Sequence, residues 1–155
     1  MNEPVEPHGD FVAAFESAFA RLQVRVEEAC AAEAEWPRGV AAGIRATLEF
    51  AASAPDDADT LTNRALAQGA EGMARHRRLV AYAAGLLEPG REEGVDAGIL
   101  PAVLEPALAG GIAFLVAHRL AQGDERELPG LAPEAIEFVL TPYLGAEEAR
   151  LVARG

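Results

Sequence analysis

The sequence is poor in the residues that build catalytic and metal sites. Its 155 residues include one cysteine and three histidines, and these are scattered without the spacing of a zinc site. No Glu-x-x-His motif, the signature of a carboxylate-bridged metal bundle, occurs anywhere. The single cysteine, Cys30, excludes an internal disulfide. We therefore expect no catalytic residue, no metal and no cofactor, and we do not expect an enzyme.

Positive charge is also scarce. All the basic residues are arginines, and the absence of lysine indicates a GC-rich bacterial genome. The 25 acidic residues outnumber the 13 basic ones, so the formal net charge is −12 and the pI is near 4.6. A chain this acidic repels a polyanion. We expect no direct nucleic-acid binding by this chain.

Long apolar runs and a secretory signal are missing as well. Every apolar stretch is interrupted by Gly, Pro, Arg or Glu well short of the roughly 20 residues that span a bilayer. The N-terminus has no basic region followed by an apolar run. These features predict a soluble, cytoplasmic protein that does not enter a membrane.

What is present predicts an all-α fold. Half of the residues are hydrophobic, many of them alanines, and only 6% are aromatic, which favours closely approaching helices over a β-sandwich. The length suits one domain. Pro4, Pro7 and Gly9 lie among acids and predict a disordered lead-in over residues 1–9, followed by a single helical domain over residues 10–155.

Apolar residues recur at helical spacing through this domain. We place Asp10 at the N-cap of the first helix, the end of the second at Pro55, and the cap of the most apolar helix at Gly123. Pro106 either begins the regular part of that helix or kinks it. About six to seven helices are predicted, over residues 11–34, from Trp36 to Pro55, 57–67, 70–88, 99–120, from Pro133 to Gly145, and 146–153.

Two adjacent glycines, Gly110 and Gly111, lie in the most apolar helix. Each glycine in a helix interior costs about 1 kcal/mol relative to alanine, so the pair indicates another helix packed close to the backbone. That helix belongs either to the same chain or to a second subunit. We favour a two-fold interface, because the helix is apolar all round.

Three other features have both a functional and a structural interpretation. His76 either contacts a ligand or makes an ordinary hydrogen bond, and the second is favoured. Arg75, Arg77 and Arg78 form either an anion-binding patch or, as we favour, a solvated face paired with neighbouring acids. Cys30 lies among glutamates, which raise the pKa of a thiol, and we expect it to be inert.

The order of these features resembles one protein family. Together they look like the C-terminal ligand-binding and dimerisation domain of TetR-family transcriptional regulators, over about residues 10–155. The most specific parts are the Gly-Gly helix and the Pro-Tyr-Leu-Gly signature after it. The motifs that carry the resemblance are Trp36-Pro37, Ala54-Pro55, Leu86-Leu87-x-x-Gly90-Arg91, Leu100-Pro101, Gly110-Gly111, Leu128-Pro129-Gly130-Leu131 and Thr141-Pro142-Tyr143-Leu144-Gly145.

The resemblance implies a helical bundle that surrounds an effector cavity and dimerises. The last two long helices would form a four-helix interface with their mates. The implied ligand-binding residues are Phe19, Trp36, Ile44, Leu48, Leu66, Met73, His76, Leu79, Tyr82 and Phe114. The implied dimer-interface residues are Val103, Ala107, Gly110, Gly111, Phe114, Leu115, Ile136, Val139, Leu140 and Tyr143.

The resemblance also implies what this chain lacks. In the family a helix-turn-helix half precedes the first of these helices, and here only Met1–Gly9 stand there. We therefore expect that the DNA-binding half is absent and that DNA is reached only through that missing domain. The chain is either a domain of a longer regulator or a natural short form.

Two functions of different classes remain open. In the first, the chain is a homodimeric module that senses a small apolar effector held with one polar anchor. In the second, it is an interaction protein that heterodimerises with full-length regulators and blocks their DNA binding. A small helical enzyme that uses His76 and Tyr82 in the cavity is disfavoured.

Overall fold

The chain folds into a bundle of α-helices. The structure, a computed structural model, describes residues 8–94 and 99–155, which contain helices and no strands. The all-α prediction is confirmed. The helices are α1 (His8–Ala31), α2 (Trp36–Ser53), α3 (Pro55–Asp59), α4 (Ala65–Ala67), α5 (Gly69–Leu87), α6 (Gly90–Glu93), α7 (Leu104–Gln122), α8 (Ala132–Leu144) and α9 (Ala146–Arg154).

Two other helical segments connect these elements. A π-helical turn, Thr60–Arg64, makes α3 and α4 one continuous stretch. A 3-10 segment, Glu125–Leu131, joins α7 to α8 where the sequence predicted a loop. Four residues of the predicted loop after α5 form α6, and residues 95–98 of that loop lie outside the described residues.

The helix boundaries differ from the predicted ones at several places; α1, for example, ends at Ala31 and not at residue 34. α1 begins at His8, so Asp10 lies in its first turn and is not the N-cap; residues 1–7 of the predicted lead-in lie outside the described part of the chain. α7 begins at Leu104, not at residue 99. Pro106 therefore lies in the first turn, where a missing N–H removes no helical hydrogen bond, and it begins the helix without kinking it.

α2 is the central helix of the bundle. It packs against α1, α8, α9 and the 3-10 segment, and its small residues permit that close packing. A Cβ added to Gly43 would lie 3.0 Å from the Cys30 sulfur of α1. Phe11, Phe15 and Phe19 of α1 are buried against this part of the bundle, and their successive ring centroids are 6.0 Å apart.

A buried ion pair joins α6 to the beginning of α7. The Arg91 guanidinium donates hydrogen bonds to both carboxylate oxygens of Glu105, at 2.8 and 2.9 Å, and the Tyr143 hydroxyl donates a third at 3.1 Å. Glu105 is only 4% exposed. The hydrogen bond from Arg91 holds the pKa of Glu105 below its ordinary value, although burial acts in the opposite direction. Glu105 is therefore a buried anion that depends on Arg91.

Replacing Arg91 with methionine tests this dependence. We expect Arg91→Met to lower the free energy of unfolding substantially, because the Glu105 carboxylate would lose its partner in a buried site. Arg21→Met is the matched control: Arg21 also donates two hydrogen bonds to one carboxylate, that of Asp57, but its side chain is 52% exposed. Replacing Arg21 should lower the free energy of unfolding much less than replacing Arg91, because exposed ion pairs contribute little to stability. Urea denaturation measures both, and equal losses would contradict the argument from burial.

Candidate functional site

A cavity of about 550 Å³ lies between α1, α2, α5 and α7. Its volume falls within the range of roughly 300–1,000 Å³ that is typical of small-molecule pockets. The walls are mostly apolar side chains contributed by all four helices and by the π-helical turn, and they include Leu22, Val26, Val40, Ile44, Phe50, Leu61, Leu79, Leu86, Ile112 and Val116.

Small residues leave this space open. Several positions that line the cavity carry no side chain beyond Cβ. The neighbouring helices are held by larger residues outside the cavity, such as Phe15 and Leu48, which are fully buried. The empty volume thus follows from where the alanines and glycines lie on each helix; the small residues at the wall include Gly43, Ala51, Ala83, Ala109 and Ala113.

Apart from the exposed Glu33 and Glu35, the polar side chains of the wall are already hydrogen-bonded within the chain. Four side-chain donors each reach a backbone carbonyl at 2.8–3.3 Å. A ligand in the cavity therefore meets apolar surface and few groups that seek a new partner. The four donors belong to Cys30, Trp36, Thr47 and Thr62.

Tyr82 places a neutral hydroxyl group at the cavity wall. Its hydroxyl donates to a carboxylate oxygen of Glu27 at 3.2 Å, and its ring meets Phe19 edge-on with centroids 5.6 Å apart. Burial, and then the charge of Glu27, raise the pKa of Tyr82 to about 12. The same two causes raise the pKa of the Cys30 thiol, in agreement with the expectation that this cysteine is inert.

Trp36 is fixed at the end of the cavity where α1 and α2 meet. Its indole N–H donates to the carbonyl of Leu86 at 3.1 Å, and its ring contacts Tyr143 edge-on at 5.3 Å. A Cβ at position 90 would lie 2.2 Å from this ring, so the close approach requires Gly90. At this end Glu33 and Glu35 also line the cavity, and both are exposed. The cavity therefore opens to solvent beside these two carboxylates.

Four of the predicted ligand-binding residues line this cavity: Trp36, Ile44, Leu79 and Tyr82. The other predicted positions do not. Phe19 and Leu48 are buried elsewhere in the core, while Leu66 and Met73 are each 44% exposed and Phe114 is 69% exposed.

His76, the remaining predicted ligand-binding residue, does not line the cavity either. Its Nδ1 atom lies 3.1 Å from the Leu61 carbonyl, which agrees with the interpretation as an ordinary hydrogen-bonded histidine. Of the neighbouring arginines, Arg75 bonds to Glu71 at 3.1 Å and Arg78 to Glu16 at 2.6 Å, as expected for a face paired with acids.

Sequence reasoning missed two contributors to the cavity wall. Leu22, Val26 and Cys30 follow one another at steps of four on α1, and Ala109 and Val116 belong to one side of α7. Both stripes are visible in the sequence. Their spacing predicted burial but did not reveal that empty space lies opposite them.

A second unusual surface is an exposed apolar face on α7 and α8. Val103 and Phe114 are each 69% exposed and Phe138 is 50% exposed. The Phe138 ring covers Gly111, where an added Cβ would lie 3.0 Å away, whereas a Cβ at Gly110 would meet nothing within 4 Å. We call the surface formed by Val103, Ala107, Gly110, Phe114 and Phe138 the α7 face.

The predicted dimer-interface residues divide between surface and core. Those of α7 and the residue before it, namely Val103, Ala107, Gly110, Gly111, Phe114 and Leu115, are exposed or half-buried. The four residues of α8 are only 0–4% exposed inside the protomer, which leaves them little surface for a second subunit. They pack within the core of the bundle, and the residues concerned are Ile136, Val139, Leu140 and Tyr143.

α7 contributes both to the packed interior of the bundle and to the exposed α7 face. Its buried residues include Leu108 and Val116, which pack on the bundle, and its opposite side carries the α7 face.

By length and composition alone, α7 is the one helix among the described residues that is apolar enough to cross a membrane. It also carries the buried Glu105 and packs on α5 and the 3-10 segment.

Comparison with protein-family models, curated proteins and solved structures finds no match to this chain. The resemblance to TetR-family regulators therefore stays a prediction, and the function has to be argued from the cavity and the α7 face.

Two alanine-to-leucine substitutions test whether the cavity is empty space that can accept added side-chain carbons. Ala109 is buried at the cavity wall, so Ala109→Leu should place its added carbons in the cavity and change the free energy of unfolding by less than about 1 kcal/mol. Ala135 is equally buried but does not line the cavity. Ala135→Leu should therefore cost about 1–3 kcal/mol by overpacking the core. Urea denaturation distinguishes them, and a reversed order would show that the cavity is not open space.

Proposed function

We propose that this chain is the effector-binding and dimerisation module of a transcriptional regulator similar to the TetR family. A small apolar ligand occupies the cavity, and a second copy of the chain covers the α7 face. The observation that carries the proposal is the cavity of about 550 Å³, whose walls are mostly apolar and whose polar side chains, apart from two exposed glutamates, are hydrogen-bonded within the chain. Such a space favours binding of an apolar molecule over chemistry on it.

α7 provides a physical connection between the ligand cavity and the surface that a partner would cover. Ala109, Ile112 and Val116 of α7 line the cavity, while Gly110 and Phe114 of the same helix belong to the α7 face. A ligand that displaces α7 outward changes the surface offered to the partner. The ligand then shifts the balance between two relative poses of the subunits by its difference in affinity for them.

The α7 face supports association with another helix. Large apolar side chains that stay in water forgo roughly 1.5–3 kcal/mol each relative to full burial. The small residues Ala107 and Gly110 leave room for a helix to approach the backbone, and nothing within the described chain occupies the space beside Gly110. A second copy presents the same apolar surface, and a two-fold axis brings the two faces together.

Ligand binding is tested with decanol as a neutral apolar probe. The chain has one tryptophan and one cysteine, and both line the cavity. We expect decanol to change the fluorescence of Trp36 and to slow the reaction of Cys30 with a thiol reagent, because it covers both side chains. Ala109→Leu should abolish both effects. Ala121→Leu, at an exposed position of the same helix, is the control and should leave them intact; a response that survives Ala109→Leu would contradict binding in this cavity.

Association is tested by analytical ultracentrifugation. We expect a dimer at micromolar concentration that Phe114→Glu converts to a monomer, because the change buries a charge in an apolar interface. Val24→Glu introduces the same charge at a 53% exposed position of α1 and should not alter the association state. A monomeric parent chain would refute self-association and leave the α7 face to a different regulator, as in the interaction-protein alternative.

A further inference from the structure

We propose that the ligand is an amphiphilic cation, whose apolar body fills the cavity and whose positive head lies at the acidic mouth. This inference rests on the proposed function and adds the charge class of the effector. Its basis is the distribution of ionisable side chains around the opening of the cavity.

Among the described residues, the cavity wall contains carboxylates and no cationic side chain. Glu33 and Glu35 line it at the turn between α1 and α2, and no arginine or histidine of the described ranges contributes to it. Both glutamates are exposed at the place where the apolar wall ends. A ligand whose body lies in the cavity therefore extends its head between two negative charges.

A smaller cleft of about 390 Å³ continues from this mouth. It shares Ala34, Glu35 and Trp36 with the cavity, so one ligand can reach both spaces. Its other walls add Glu93 and Glu148. The two spaces together form an apolar chamber that ends in an acidic recess.

The nearby arginines do not neutralise this recess. The Arg38 guanidinium is 4.0 Å from Glu35, but both side chains are mostly exposed, and such a pair is weak. Arg91 is committed to the buried Glu105. The mouth therefore keeps an excess of negative charge, in a chain whose formal net charge is −12.

The position of Trp36 favours a cation further. Its ring lines both spaces, beside the shared carboxylate of Glu35. A cation within about 6 Å of an indole face is attracted by the ring quadrupole, and an anion is not. Apolar contact alone would not distinguish heads of opposite sign, whereas the carboxylates and the indole select the positive one.

Three probes with the same tail and different heads test the inference: decyltrimethylammonium, decanol and decanoate. Each is titrated below its micelle concentration against the full chain, with Trp36 fluorescence as the readout and circular dichroism as a check that the fold persists. We expect decyltrimethylammonium to bind about tenfold more tightly than decanoate, with decanol between them, since the head would lie beside the exposed carboxylates of the mouth. Added salt should reduce this preference, because the carboxylates are exposed.

Variants that lack particular carboxylates test which residues cause the preference for a cationic head. The double variant Glu33→Gln with Glu35→Gln should bring the three affinities together and leave that of decanol unchanged. The control double variant Glu49→Gln with Glu134→Gln removes two exposed charges that line neither space, and it should keep the preference.

The outcomes separate this inference from the proposed function. If no probe binds, or if Ala109→Leu leaves binding unchanged, ligand binding in the cavity is refuted and the inference falls with it. If decanol binds in the cavity but decanoate binds as tightly as the cation, only the charge class is wrong. A preference that survives the Glu33 and Glu35 substitutions, or that the control variant also removes, would reflect the overall charge of the chain and overturn the inference.

Discussion

The apolarity of α7 on all sides is the constraint on which the other features of the molecule depend. A helix in a small bundle can bury only part of its circumference against its own chain, and α7 uses that part on the bundle and on the cavity wall. The remainder, with Val103 and Phe114, stays exposed. Both the candidate ligand site and the candidate partner surface are therefore properties of one helix.

The ends of the bundle are held by a small number of polar contacts. Arg91, Glu105 and Tyr143 join α6, α7 and α8, and Tyr143 also packs edge-on against Trp36. Through Trp36 this buried cluster fixes one wall of the cavity mouth. The stability of the bundle and the shape of the mouth thus depend on the same few side chains, of which only Trp36 lines the cavity.

Much of the helical architecture could be predicted, because the buried side of each helix repeats with helical period. The stripe Phe11, Phe15 and Phe19 is buried as its spacing indicated, and Trp36 begins a helix. The ion pair between Arg91 and Glu105 had no such signal, since its partners lie in different helices and no periodicity connects them. The cavity was predicted only in outline, because a spacing pattern shows which side is apolar and not whether the space opposite is filled.

The sequence by itself determined the all-α class, the positions of most helix ends and the acidic surface, since these depend on local spacing, on proline and glycine, and on composition. The tertiary structure alone decided what each apolar stripe meets. Ile136 and Leu140 on α8 and Phe114 on α7 are equally apolar, yet the first two pack in the core and the third faces solvent. The hydrophobic effect has no direction, so periodicity identifies an apolar side, and only the packing of distant helices determines whether core, cavity or solvent lies next to it.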